Sequence, residues 1–229
     1  MYDFCFVCTV FNREQDIERF VDSMLDQTYP SEKFIVVIVD NGSTDKTISL
    51  LEDYRSIENI KLIDGSDVKG SPYSARNLVL KNIQAENYCF MDGYVCRNYL
   101  ENASELVLKD KMVAGKIEIE TDNNSSPYEI YDSIFNLDVE KIINKYQRAP
   151  TGNLIVNKRV IESLGFFNES IRSGGDMIYT SKAVDKGFSL IFCNHLVSRY
   201  HARNKKELLI KQRRISRGQV GIWKSENKV

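Results

Sequence analysis

The chain has 229 residues, 42% hydrophobic and 28% charged, with 31 basic side chains against 32 acidic for a formal net charge of −1. That length suits one generous α/β domain or two small ones with a full core. The near-zero charge argues neither for nucleic acid nor for an acidic membrane surface as a partner, and no nucleic acid is expected. The five cysteines are odd in number and scattered through apolar runs, which suits reduced thiols in a cytoplasmic protein better than a disulfide framework.

Residues 4–10 form the first strand-like run. Cys5 and Cys8 within it have C-x-x-C spacing, but positions three apart on a strand face opposite ways, a poor arrangement for a metal or a redox pair. The opening residues carry Asp3 and no basic cluster, so no signal peptide is expected, and no apolar run has the length of a membrane span. A helix is expected over about 14–25, broken from the next strand by Tyr29-Pro30.

Residues 35–39 are β-branched throughout, the pattern of a strand covered on both faces in a parallel sheet. Asp40 ends that run. Ligands of open α/β sheets bind beyond the carboxyl ends of the strands, so this carboxylate is a candidate contact for a base, a ribose or a metal. Asn41-Gly42 permits a turn, Ser43 or Thr44 can cap, and a helix follows Asp45.

The alternation continues with a strand at 60–63, a break at Gly70 and Pro72, a helix over 75–83 and a strand at 88–91. This βαβα order predicts a three-layer αβα sandwich with a mainly parallel central sheet. The second half is less regular: a strand at 111–120, a polar loop at 121–127, helical spacing over 128–146 and a strand at 154–156. A short helix at 159–164 follows, then Gly174-Gly175-Asp176 opens a helix that ends near Gly187. A strand pair at 189–193 and 196–200, separated by a tight turn with a structural His195, precedes a basic helix from about Lys205.

Taken in register, six segments resemble those of a family 2 glycosyltransferase of the GT-A fold. They are T-V-F-N-R-E at 9–14, V-V-I-V-D-N-G-S-T-D-K-T at 36–47, S-A-R-N at 74–77, F-M-D-G-Y at 90–94, G-G-D at 174–176 and Y-H-A-R at 200–203. The resemblance implies a single GT-A domain, 1–229, with a nucleotide-sugar-binding half at 1–110 and an irregular acceptor-binding half at 111–229. It also implies sugar transfer, from a UDP-sugar or similar donor to a glycan or lipid-linked acceptor, with inversion at the anomeric carbon.

On that resemblance Thr9, Asn12, Glu14, Asp40, Arg76, Asp92 and Arg203 are the expected donor-binding residues. Thr9 and Asn12 end a strand where they could hydrogen-bond a uracil, Asp40 could accept from the base N–H, and the Arg76 guanidinium could grip a base edge or a phosphate. Asp176 is the expected catalytic base, taking the proton of the attacking acceptor hydroxyl. Asp92 and His201 are the expected ligands of a divalent cation, Mn²⁺ or Mg²⁺. This chain departs from the family's D-x-D in reading Asp92-Gly93-Tyr94, and a neutral phenol is a poor ligand for a hard cation. The alternative is a degenerate nucleotide-binding relative with a regulatory or scaffolding role.

A dinucleotide-dependent oxidoreductase is disfavoured because no G-x-G-x-x-G follows the first strand, and a nucleotidyltransferase because no glycine-rich basic loop opens the chain. The basic C-terminal helix, with Ile222 and Trp223 as an apolar anchor, could contact the inner face of a membrane peripherally.

Overall fold

A computed structural model describes residues 1–68, 71–106, 108–135 and 137–225, with side chains in the last helix described as far as Gly218. Gly70 and the side chains of Ile222 and Trp223 therefore lie outside the described residues. The elements run β1 (Tyr2–Val10), α1 (Ile17–Leu25), β2 (Phe34–Asp40), α2 (Thr47–Leu51), β3 (Ile60–Asp64), α3 (Pro72–Asn82), β4 (Ala85–Met91), β5 (Tyr94–Val95) and α4 (Tyr99–Ser104). They continue with β6 (Lys111–Glu120), α5 (Pro127–Phe135), α6 (Val139–Tyr146), β7 (Asn153–Asn157), α7 (Lys158–Leu164), α8 (Gly175–Asp185), β8 (Ser189–His201) and α9 (Lys205–Ser225).

The strands form one eight-stranded sheet in the order β3-β2-β1-β4-β7-β6-β8-β5. β1 pairs in parallel with β2 and β4, β2 with β3, and β6 with β8, while β7 is antiparallel to both its neighbours. All seven residues of β2 are buried, and they alternate between two cores: Ile35, Val37 and Val39 enter one, Phe34, Val36 and Ile38 the other. The first core is closed by α3, α6, α7 and α8, the second by α1, α2 and α4, which gives the three layers expected. Cys5 and Cys8 fall into opposite cores. In α1 the spacing Ile17, Phe20, Val21, Met24 places one apolar stripe against the sheet, each burial contributing about 2 kcal/mol.

Several expectations shift. The helix expected from Glu14 starts at Ile17, since residues 13–16 form a turn closed by Arg13 O accepting from the Ile17 N–H. The helical stretch 128–146 is two helices, separated around Leu137 at φ 64° and restarted by Asp138, whose carboxylate caps the Lys141 N–H at 3.0 Å. The strand pair expected at 189–193 and 196–200 is a single strand, β8. Gly115 pairs with Cys193 but Lys116 pairs with Val197, so residues 194–196 loop out of the ladder. The Asn153 amide fills that gap, donating 2.9 Å bonds to the carbonyls of both Lys116 and Leu196 and accepting from the Tyr99 hydroxyl at 2.6 Å. A buried ladder defect is thereby satisfied from a neighbouring strand. β5 and α4 have no counterpart in the sequence-level expectation.

Strand order steps outward from β1 to β3 on one side and jumps to β4 on the other, so β1 and β4 flank the topological switch point. A ligand crevice is expected beyond their carboxyl ends.

Candidate active site

The loops that follow β1 and β2 at those strand ends are zipped together. Asn12, at φ 50°, accepts from the Thr44 N–H at 2.8 Å and donates its own N–H to Ser43 Oγ at 2.8 Å. The Arg13 N–H donates to Thr47 Oγ1 at 2.7 Å, the Glu14 N–H to Asp45 at 3.1 Å, and the Glu14 carboxylate accepts from the Lys46 N–H at 3.0 Å. Asn12 and Glu14, expected as donor contacts, thus fasten the loop after β1 to the loop after β2. Thr9 stands half-buried near the end of β1, opposite Val39.

Asp40 is 7% exposed and splits its carboxylate between two tasks. Oδ2 accepts from the Gly42 and Ser43 N–H groups at 3.0 and 2.9 Å, which fixes the turn. Oδ1 is buried and has no hydrogen-bond partner, and a buried acceptor left bare beside a crevice is a ready place for a ligand N–H.

Helix α3 carries the next group. Ser71 caps it by accepting from the Tyr73 N–H, and Pro72 sits in the first turn, where its missing N–H costs nothing. Tyr73 and Arg76, three apart, share one face. Arg76 is 4% exposed, its Nη2 3.3 Å from Asp92 Oδ1 and its Nε buried without a partner. Asn77 instead braces the 167–169 loop, donating to Phe167 O and Glu169 at 2.9 and 2.8 Å.

Asp92 projects from the end of β4 with 42% of its side chain exposed. Its backbone carbonyl accepts from Arg13 Nη1 at 2.7 Å, a bond across the β1/β4 switch point. Tyr94 turns inward: it is 6% exposed, with the Arg19 guanidinium 3.8 Å from its ring centroid and the His201 ring 5.9 Å away. Arg19 Nη1 also lies 3.3 Å from His201 Nε2, where the ring nitrogen must serve as acceptor. Arg203 is anchored away from the crevice, its N–H and Nη1 donating to the buried Asp132 of α5 at 3.0 and 3.2 Å. The Tyr200 phenol sits among these charges. Burial and then Asp92 push it well above its usual range, against the pull of Arg203, Arg13 and Arg76.

Asp176 lies in the first turn of α8 and receives four hydrogen bonds. Tyr73 OH and the Met177 N–H donate to Oδ1 at 3.2 and 3.0 Å, and the Thr151 N–H and hydroxyl to Oδ2 at 3.2 and 3.3 Å. Burial, followed by the facing Asp176 carboxylate, pushes the Tyr73 phenol well up, so it remains a donor at neutral pH. The two glycines before Asp176 have uses the sequence did not reveal. Gly174 adopts φ 82° to start the helix, and a Cβ on Gly175 would meet the Tyr73 ring at 2.7 Å.

The model of a known family, described as glycosyl transferase family 2, matches residues 5–188. The chain belongs to glycosyl transferase family 2. The glycosyltransferase AglE of Haloferax volcanii is 32% identical over 222 residues, covering 95% of this chain and 73% of AglE. The poly(ribitol-phosphate) β-N-acetylglucosaminyltransferase TarS of Staphylococcus aureus is 26% identical over 80% of this chain, which spans only 32% of TarS. Among solved structures, the mannosyltransferase PcManGT of Pyrobaculum calidifontis, in complex with GDP-Man and Mn²⁺, superposes with a TM-score of 0.77 at 19% identity over 99% of this chain and 64% of its own. TarS 1-349 in complex with UDP-GlcNAc superposes at 0.68 and 23% identity, over 90% of this chain and 60% of that one. These likenesses establish a GT-A fold and an enzyme of the glycosyltransferase class.

For this glycosyltransferase, sequence reasoning missed Arg13, Arg19, Tyr73 and Thr151. Arg13 sits inside the first family-like segment and was open to notice; the others act through partners distant in the chain. Among the described residues no three His, Cys, Asp or Glu side chains converge as a metal cluster. Asp92, an open carboxylate, and His201, an imidazole whose acceptor nitrogen now faces Arg19, are donor types that suit a hard cation completing its shell with phosphate oxygens.

Proposed function

We propose that the chain transfers a sugar, with inversion, from a UDP-sugar to a hydroxyl of a glycan or lipid-linked acceptor, residues 1–110 binding the donor and 111–229 the acceptor. The observation that carries the donor side is the pair of orphaned buried groups, Asp40 Oδ1 at the end of β2 and Arg76 Nε on α3. A uridine diphosphate offers its base N–H to the first and a base carbonyl or phosphate oxygen to the second. The uridine nucleotides bound to TarS support this choice, and the GDP-Man bound to PcManGT makes guanine the competitor to test.

In the reaction, Asp176 accepts the proton of the acceptor hydroxyl as its oxygen attacks the anomeric carbon, and the bond from that carbon to the diphosphate breaks on the opposite face. Tyr73 and Thr151 fix the carboxylate through its two oxygens. Arg76 sets positive charge against the departing diphosphate. A divalent cation held by Asp92 and His201 would add charge neutralisation at the same place.

The test is a calorimetric titration with UDP, with and without Mn²⁺, and with GDP as control. UDP binding that tightens with Mn²⁺ is expected. Failure of both nucleotides to bind under both conditions overturns the donor assignment.

A further inference from the structure

Helix α5 is built inside out. Its one buried residue is Asp132, while Ile130, Tyr131, Ile134 and Phe135 are 46, 49, 65 and 69% exposed. An ordinary surface helix turns its apolar stripe inward. Here Asp132 is held inward by Arg203, so the helix cannot roll its apolar face under without abandoning a buried ion pair. The outward apolar face is therefore a fixed feature, of the kind that marks an interaction surface.

What lies beside it identifies the occupant. Helix α9 packs on α5, with Lys205 Nζ 5.2 Å from the Tyr128 ring centroid. Between Lys205 and Gly218 this helix exposes Lys205, Lys206, Arg213, Arg214 and Arg217 against the single acid Glu207, with Leu209 and Ile210 exposed among them. Aromatic and aliphatic side chains bordered by cations match the headgroup zone of an anionic bilayer, which takes up the first and attracts the second. A second copy of the chain would set this basic helix near its own like charges.

We infer that α5 and the first turns of α9 form a docking face for an anionic lipid bilayer. The inference is independent of the donor assignment, although it suits a lipid-linked acceptor. At Gly218, α9 passes Ser173 so closely that a Cβ would lie 2.6 Å from the Ser173 Cβ, three residues before Asp176.

The test is flotation with vesicles of equimolar phosphatidylglycerol and phosphatidylcholine, beside vesicles of phosphatidylcholine alone. The protein is expected to float with the first and not the second, and to be released by salt. The double variant Ile134→Ser/Phe135→Ser is expected to bind the anionic vesicles about tenfold less or weaker still, with its helical circular dichroism retained. Absence of flotation with anionic vesicles, or flotation unchanged in the folded double variant, overturns the inference. So does a concentration-dependent dimer that the double variant abolishes, because the face would then be a self-interface.

Discussion

Tyr73 donates its phenolic hydrogen to Asp176 at 3.2 Å across 103 residues of chain, and Thr151 grips the other carboxylate oxygen from a third segment. Protein groups alone thus orient the proposed base through both of its oxygens. Asp176→Asn is expected to lower kcat about 10²- to 10⁴-fold while leaving UDP affinity unchanged. Tyr73→Phe, which removes one charge-assisted hydrogen bond, is expected to lower kcat about tenfold. Coupled assay of UDP release, with calorimetry for the affinity, separates the two effects; equal loss of nucleotide binding would place Asp176 in the donor site instead.

The divided carboxylate of Asp40 makes a directional prediction. Asn at this position can keep accepting from the Gly42 and Ser43 N–H groups but would present an amide donor where Oδ1 now stands bare. Donor would face donor against the uracil N–H, and UDP should bind about 10- to 100-fold more weakly with little change in Tm. Unaltered affinity would mean that the base binds elsewhere.

Lys211 gives a pH dependence. Burial first, then the like charge of Arg203, draw its pKa from 10.5 down to about 8, against the opposing pull of Asp132. Between those two values the unfolded chain binds the proton and the folded chain does not, so stability rises as pH climbs from about 8 toward 10.5, while below 8 the full cost of the buried charge is present. Lys211→Met should therefore be more stable at neutral pH by roughly 1–3 kcal/mol and lose the alkaline rise. Urea unfolding across that range measures both.

Gly93 lies where the chain turns from β4 into β5, and a Cβ there would strike the Arg199 carbonyl and the Ser198 hydroxyl of β8. Gly93→Ala should force the β5–β8 pairing apart, costing about 1–3 kcal/mol of stability and displacing Asp92, Tyr94 and His201 relative to one another. Thermal unfolding together with UDP titration would detect this, and a fully stable variant with native affinity would show that the junction yields freely.

The parts of the fold legible in the sequence are those written in local patterns. The β-branched run of β2, the Asp that ends it, and the alternation of strand and helix through β4 carry period and punctuation within a few residues. What stayed hidden depends on partners far along the chain. The continuity of β8 rests on Asn153 plugging a gap that otherwise looks like a Cys-Asn-His turn. Gly175 is required by a ring on α3, and Tyr94, which reads as a lost cation ligand, is a buried platform under Arg19. β5 is two residues long and has no periodicity to read, and the break between α5 and α6 comes at a leucine with no glycine or proline to announce it. Strand-end carboxylates could be placed from sequence because strands end visibly; the hydrogen bonds that tune them could not.

The rim formed by Asn12, Arg13 and Glu14 with residues 43–47 is bonded to itself through protein groups alone. A ligand meeting such a surface has little loop entropy to extinguish on this side, so encounter is governed by diffusion and orientation rather than by waiting for a gate. Differences in nucleotide affinity among variants of this rim will accordingly lie in residence time, with arrival rates nearly constant.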